Sequence, residues 1–110
     1  LISAATWEKL SDGTYKYHFA EGLEATDYWL EIDGTWYYFG HDNIMQTGWV
    51  KDDGNWYYMD LKTGALFTGW HEISGKYYFH EEGDGFKGTL MVNCETPDGY
   101  TVDVNGALVE

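Results

Sequence analysis

A segment built on Trp, Gly and a run of aromatic residues recurs three times at near-constant spacing, and no other feature of the chain constrains its fold as tightly. The copies are Trp29-Leu-Glu-Ile-Asp-Gly-Thr-Trp-Tyr-Tyr-Phe39, Trp49-Val-Lys-Asp-Asp-Gly-Asn-Trp-Tyr-Tyr-Met59 and Trp70-His-Glu-Ile-Ser-Gly-Lys-Tyr-Tyr-Phe79. In each, the leading Trp stands five residues before Gly34, Gly54 or Gly75, and the leading Trp residues are 20 and 21 positions apart. Thr-Gly precedes two of them, at Thr47-Gly48-Trp49 and Thr68-Gly69-Trp70. A period of this length belongs to small units that cannot bury an apolar face alone and do so by stacking.

Each unit reads as a β-hairpin. Asp33-Gly34 and Asp53-Gly54 suit the two positive φ angles of a two-residue type I′ turn, and Ser74-Gly75 is a weaker version. That turn sets Trp29 opposite Tyr38 and Glu31 opposite Trp36, so Trp29, Glu31, Trp36 and Tyr38 share a face and Leu30, Ile32 and Tyr37 take the other. The same register groups Trp49, Lys51, Trp56 and Tyr58, and then Trp70, Glu72, Tyr77 and Phe79. Leu30, Ile32, Val50 and the middle tyrosines Tyr37, Tyr57 and Tyr78 are expected in the core. Linkers such as 60–69 supply glycines for tight turns and an apolar plug, Leu66 or Met45.

The pattern predicts an all-β solenoid of stacked hairpins in a single repeat domain over 1–110. A degenerate unit spans 7–28, regular units span 29–48, 49–69 and 70–89, and a C-terminal capping unit spans 90–110. Trp7 lies six residues before Gly13, one more than in the central units. That spacing would turn it to the wrong face unless a bulge absorbs the extra residue.

Aromatic residues make up 19% of the chain although its hydrophobic fraction is an ordinary 44%, so rings with polar tips replace aliphatics, as suits half-exposed contact surfaces. Six basic against nineteen acidic residues give a formal charge of −13, which repels phosphate backbones and excludes nucleic acid as a partner. The charge attracts cations, and it equally serves to keep a strand-rich protein soluble. Cys94 is alone, and no Cys or His cluster has metal-ligand spacing, so neither metal nor cofactor is expected. Leu1 is followed by no basic, long apolar run, and neither signal peptide nor membrane insertion is expected. The paired acids Glu81-Glu82 and Asp52-Asp53 diverge along the backbone, and His18, His41, His71 and His80 are scattered among units. The chain is expected not to be an enzyme. Edge strands leave a homodimer open as an assembly.

The pattern Gly-Trp-x-x-x-x-Gly-x-Trp-Tyr-Tyr, followed by Gly-Ala-Leu or a similar triplet and Thr-Gly-Trp, resembles the repeat of the choline-binding and cell-wall-binding family of bacterial surface proteins, to which glucan-binding repeats are related. The match is close over 29–79 and partial over 7–28 and 80–89, and Asp98–Leu108 resembles the endings of such arrays. The resemblance implies shallow sites, each framed by two aromatics of one hairpin and one of the next. Carried onto this chain, one site would use Trp29, Trp36 and Tyr58 with Leu66 as floor. A second would use Trp49 and Trp56 with Phe79. A third, at Trp70 and Tyr77, has no evident following hairpin to complete it. The implied function is a secreted, cell-wall-associated module that cages choline-like quaternary ammonium groups of teichoic acid. Sugar stacking in a glucan-binding module is the alternative. Rings on a hairpin face also serve as packing between units, and Trp29, Trp36, Trp49 and Trp56 suit either role.

Overall fold

Paired left-handed residues make the hairpins. Asp33 and Gly34 have φ of 52° and 82°, Asp53 and Gly54 of 51° and 81°, and Ser74 and Gly75 of 53° and 83°. Two successive positive φ angles are the mark of a type I′ turn, whose twist matches that of the flanking strands. The Ser74 turn has the same geometry as the aspartate turns.

The computed structural model describes residues 6–18, 28–83 and 87–110; part of the degenerate unit expected at 7–28 and of the regular unit at 70–89 lies outside the described residues. All regular structure among those described is β, and none of it is a helix long and apolar enough to cross a membrane. The chain divides into two compact units, residues 1–48 with 59–66 and residues 49–58 with 67–110.

In the first unit, β1 (Thr6–Lys9) pairs with β2 (Tyr15–His18), and β3 (Tyr28–Ile32) with β4 (Thr35–Phe39), both antiparallel. Trp29 lies opposite Tyr38 and Glu31 opposite Trp36, the register that the turn dictates. The β1–β2 hairpin meets the condition that the spacing of Trp7 imposed. Leu10 N–H donates to the Thr14 carbonyl at 2.8 Å and Gly13 N–H to the Leu10 carbonyl at 3.0 Å. Gly13 sits at φ 89°. The three-residue loop 11–13 takes up the additional residue, as three-residue hairpin loops with a left-handed closing glycine do. Trp7 therefore faces Tyr17 as Trp29 faces Tyr38. The core of this unit is Phe39 and Met45, with Trp7, Tyr15, Tyr17, Leu30, Ile32 and Tyr37 packed against them.

The second unit contains the body of the hairpin formed by β5 (Gly48–Asp52) and β6 (Asn55–Met59), the hairpin of β7 (Gly69–Ile73) and β8 (Lys76–His80), and two short strands, β9 (Cys94–Glu95) and β10 (Thr101–Val102). Trp70 lies opposite Phe79 and Glu72 opposite Tyr77. Val50, Tyr57, Phe79, Leu90, Val102 and Ala107 are buried, together with His80. Tyr78, expected in the core, is only half-buried.

Candidate ligand-binding cages

One backbone device recurs beside each aromatic pair. The apolar residue that closes a linker donates its N–H to the carbonyl of an aromatic residue: Met45 to Tyr15 at 2.8 Å, Leu66 to Trp36 at 2.9 Å, Leu90 to Trp56 at 2.8 Å and Leu108 to Tyr77 at 2.8 Å. Each bond fixes an apolar side chain next to the ring that follows a turn. Glycine makes room for it. A Cβ on Gly64 would overlap the Met45 thioether, and one on Gly106 would meet the Leu90 methyl Cδ2 at 2.7 Å. Both glycines also have positive φ, 77° and 87°.

In the second unit, Trp49, Trp56 and Tyr78 wall an open cavity of about 390 Å³, with Leu90, Val92 and Val104 completing its apolar lining and Asn105 at its edge. Trp49 meets Trp56 edge-on at 6.1 Å and 89°, Tyr58 at 5.2 Å and 75°, and Tyr78 at 5.2 Å and 77°. Beneath it lies His80, 5.7 Å away at 35°. The Lys51 ammonium sits 5.8 Å from the Trp56 ring centre, so a cation already rests on that ring. Trp56 is 41% exposed, a large apolar surface for a side chain that packs so little.

Phe79, expected as the third wall of this cavity, is 4% exposed and packs instead on Trp70 at 5.1 Å. Strand alternation explains the exchange: Phe79 lies opposite Trp70, so the opposite face of β8 carries Tyr78 to the cavity.

A second cavity, of about 400 Å³, is lined by Trp70, Tyr77, Tyr100, Leu108 and Asp98. Tyr100 meets Trp70 at 5.8 Å and 87°. The segment after β9 thus completes the aromatic set that a further hairpin was expected to be needed for. Tyr77 is 46% and Tyr100 55% exposed. The Asp98 carboxylate accepts the Trp70 indole N–H at 2.9 Å and the Thr96 hydroxyl at 2.5 Å. These two donors hold the Asp98 carboxyl below the usual carboxylate range, the Thr96 bond contributing most.

The first unit holds a smaller counterpart, about 260 Å³, lined by Trp7, Tyr15, Tyr37 and Met45 with Lys62 and Thr63. Trp7 meets Tyr15 at 6.2 Å and 89°, Tyr37 at 4.9 Å and 74°, and Phe39 at 5.9 Å and 35°. These values reproduce those around Trp49, with Phe39 in the place of His80. Elsewhere in this unit Trp29 packs on Tyr38 at 4.9 Å, and Leu66 is joined to Trp36 by the bond described above. Tyr58 belongs to the second unit.

Of the residues lining these cavities, Trp49, Trp56, Trp70 and Tyr77 were singled out from the sequence, and Trp7, Tyr15, Tyr78, Leu90, Asp98 and Tyr100 were not. One signal was present: Gly-Ala-Leu occurs at 64–66 and again at 106–108, and the second copy marks the floor of the Trp70 cavity.

A family model described as a choline-binding repeat matches residues 25–68. Among solved structures, the choline binding domain of Spr1274 in Streptococcus pneumoniae is 34% identical, with a TM-score of 0.64 over 78% of this chain and 96% of that one. Choline binding protein F from Streptococcus pneumoniae, determined in the presence of a peptidoglycan analogue, is 34% identical with a TM-score of 0.84, over 97% of this chain but 34% of its own length. The multimodular pneumococcal cell wall endolysin from phage Cp-1, complexed with choline, is 31% identical with a TM-score of 0.64, over 94% of this chain and 30% of that one. The chain thus spans about a third of protein F and of the endolysin. No curated protein matches the sequence.

Proposed function

The chain belongs to the choline-binding repeat family, and from that premise we propose that it is a non-catalytic module that anchors a larger secreted protein to the bacterial cell wall by caging choline-like quaternary ammonium groups of teichoic acid. The observation that carries this reading is the ring set around Trp49: Trp56 and Tyr78 stand edge-on to it, at 89° and 77°, about an open cavity. A trimethylammonium group donates no hydrogen bond and is weakly hydrated. Ring faces attract it through their quadrupoles, by about 2 kcal/mol or more once water is excluded. Leu90 supplies the apolar floor and Tyr58 braces Trp49 from the side.

Perpendicular walls enclose a compact, near-spherical guest; a sugar ring needs a flat platform and several convergent polar groups. Asn105 is the one amide at this cavity, which favours the cation over the glucan alternative. Trp70 and Tyr77 would form a second cage of the same kind. Within the first unit Trp29, Trp36 and Leu66 are proposed to contribute to another. Phe79 would support Trp70 from below.

Trp56→Ala is the cleanest test, because Trp56 is 41% exposed and its loss leaves little void in the core. In calorimetric titration with choline, the variant should lose one class of site and keep the rest. Unchanged stoichiometry and affinity would remove this cage, and absence of choline binding by the wild-type chain would overturn the reading.

A further inference from the structure

The cavity at Trp70 differs from the other two in charge. The Trp49 cavity is lined by rings, aliphatic side chains and Asn105, with the Lys51 ammonium over the adjoining Trp56 ring. The Trp7 cavity has Lys62 in its lining. Only the Trp70 cavity, of these three among the described residues, is lined by a carboxylate, that of Asp98.

That carboxylate is held in place. One oxygen accepts the Trp70 indole N–H at 2.9 Å, and the other accepts the Thr96 hydroxyl at 2.5 Å. Thr96 is 3% exposed, and its hydroxyl oxygen in turn accepts the Tyr100 N–H at 3.1 Å. Indole and hydroxyl are neutral donors: they orient the carboxylate and favour its ionised form without cancelling its charge. Each oxygen has lone-pair capacity beyond its single bond. The same hydrogen-bonded chain links Trp70, Asp98, Thr96 and Tyr100, so two walls of the cavity and its negative charge are positioned together.

We propose that Asp98 is the charge-recognition residue of this terminal cage, which binds alkylammonium groups by pairing with the carboxylate as well as by its rings. The inference rests on the reading that these aromatic cavities take quaternary ammonium groups, and it assigns their unequal selectivity. The terminal cage discriminates strongly between a cation and a neutral molecule of the same shape, and the Trp49 cage discriminates by ring attraction without a carboxylate and with the Lys51 ammonium nearby.

Indole N–H resonances report each cage separately. Choline and its neutral isostere 3,3-dimethylbutan-1-ol would each be titrated into the full chain while the Trp49, Trp56 and Trp70 indole signals are followed. At Trp70, choline should half-saturate at a concentration about tenfold or more below that expected from the Trp49 cage's own choline-to-alcohol ratio. Asp98→Asn, whose side-chain oxygen still accepts the indole N–H, should bring the Trp70 ratio to the Trp49 value and leave Trp49 and Trp56 unchanged. In the wild-type chain alone, added salt should weaken the choline response of Trp70 more than that of Trp56. An Asp98→Asn chain with the wild-type ratio at Trp70, or equal salt dependence at the two cages, would show that Asp98 only orients the indole and overturn the proposal. Choline responses at Trp49 and Trp56 with none at Trp70 would overturn it while leaving the broader reading intact. Silence at every indole would overturn both.

Discussion

His80 shows how a single residue can take a packing role and give it a pH dependence. It occupies, beneath Trp49, the place that Phe39 occupies beneath Trp7, at similar distance and the same 35° tilt. Its side chain is fully buried. The Gly88 carbonyl can only accept, so Nδ1 carries the proton of the 2.7 Å bond between them, and Nε2 is left buried without a partner. His71 stacks on Phe67 at 4.3 Å and lies 4.7 Å from His80, its own Nε2 also buried and unpartnered. Burial, reinforced by the nearby His80, pushes the His71 imidazole down to about 4, and burial lowers His80 as well. A depressed histidine pKa means that the unfolded chain takes up the proton first. Stability from these residues is therefore full above the ordinary value of 6.5 and falls as the pH drops from there towards 4. The unfolding free energy from denaturant titration should fall between pH 7 and pH 5 by an amount on the order of 1 kcal/mol, after allowance for partial solvation. Carboxylates titrate mostly below that window. His71→Phe should flatten the slope, and an equal slope in wild type and variant would refute the assignment.

At the level of elements, the hairpin register was legible because the turn dictates it: Asp-Gly and Ser-Gly fix the pairing, and alternation then sorts every side chain. The loop of β1–β2 was not, because its length cannot be read from the Trp-to-Gly spacing alone. There Asp12 accepts the Thr14 N–H at 3.0 Å and its hydroxyl at 2.6 Å, stabilising a three-residue loop that restores Trp7 to its face. Deletion of Ser11 would shorten this loop to Asp12-Gly13, the two-residue turn of the central units, with Leu10 still opposite Thr14 and Trp7 still opposite Tyr17. Trp7 should therefore keep its face and its edge contacts with Tyr37 and Tyr17, with stability changed by no more than about 1 kcal/mol and the near-ultraviolet circular dichroism signal retained. Loss of that signal would show that the three-residue loop itself is needed to hold Trp7. The lining of these cavities was half legible for a related reason. Trp49, Trp56, Trp70 and Tyr77 lie on hairpins, whose geometry follows from local pattern. Leu90, Asp98 and Tyr100 reach their cavities from irregular segments, where no period relates position in sequence to position in space.

At the scale of the whole molecule, a net charge of −13 complicates any demonstration of ligand binding. An ammonium-bearing resin retains such a chain by simple ion exchange, so retention in dilute buffer says nothing about the cages. Salt separates the two effects. At about 1 M ionic strength the screening length is about 3 Å, and attraction between the resin and dispersed surface carboxylates is lost. Ring contacts with a caged ammonium act within contact distance and survive it. The chain should therefore remain on a choline-like tertiary-amine resin at high sodium chloride and leave when choline chloride replaces part of the salt at constant ionic strength. Trp56→Ala should leave at lower choline, because retention on a polymer compounds the contributions of several sites. Release by sodium chloride alone, or by choline and sodium at equal concentration, would mean that charge rather than aromatic enclosure holds the chain to the resin.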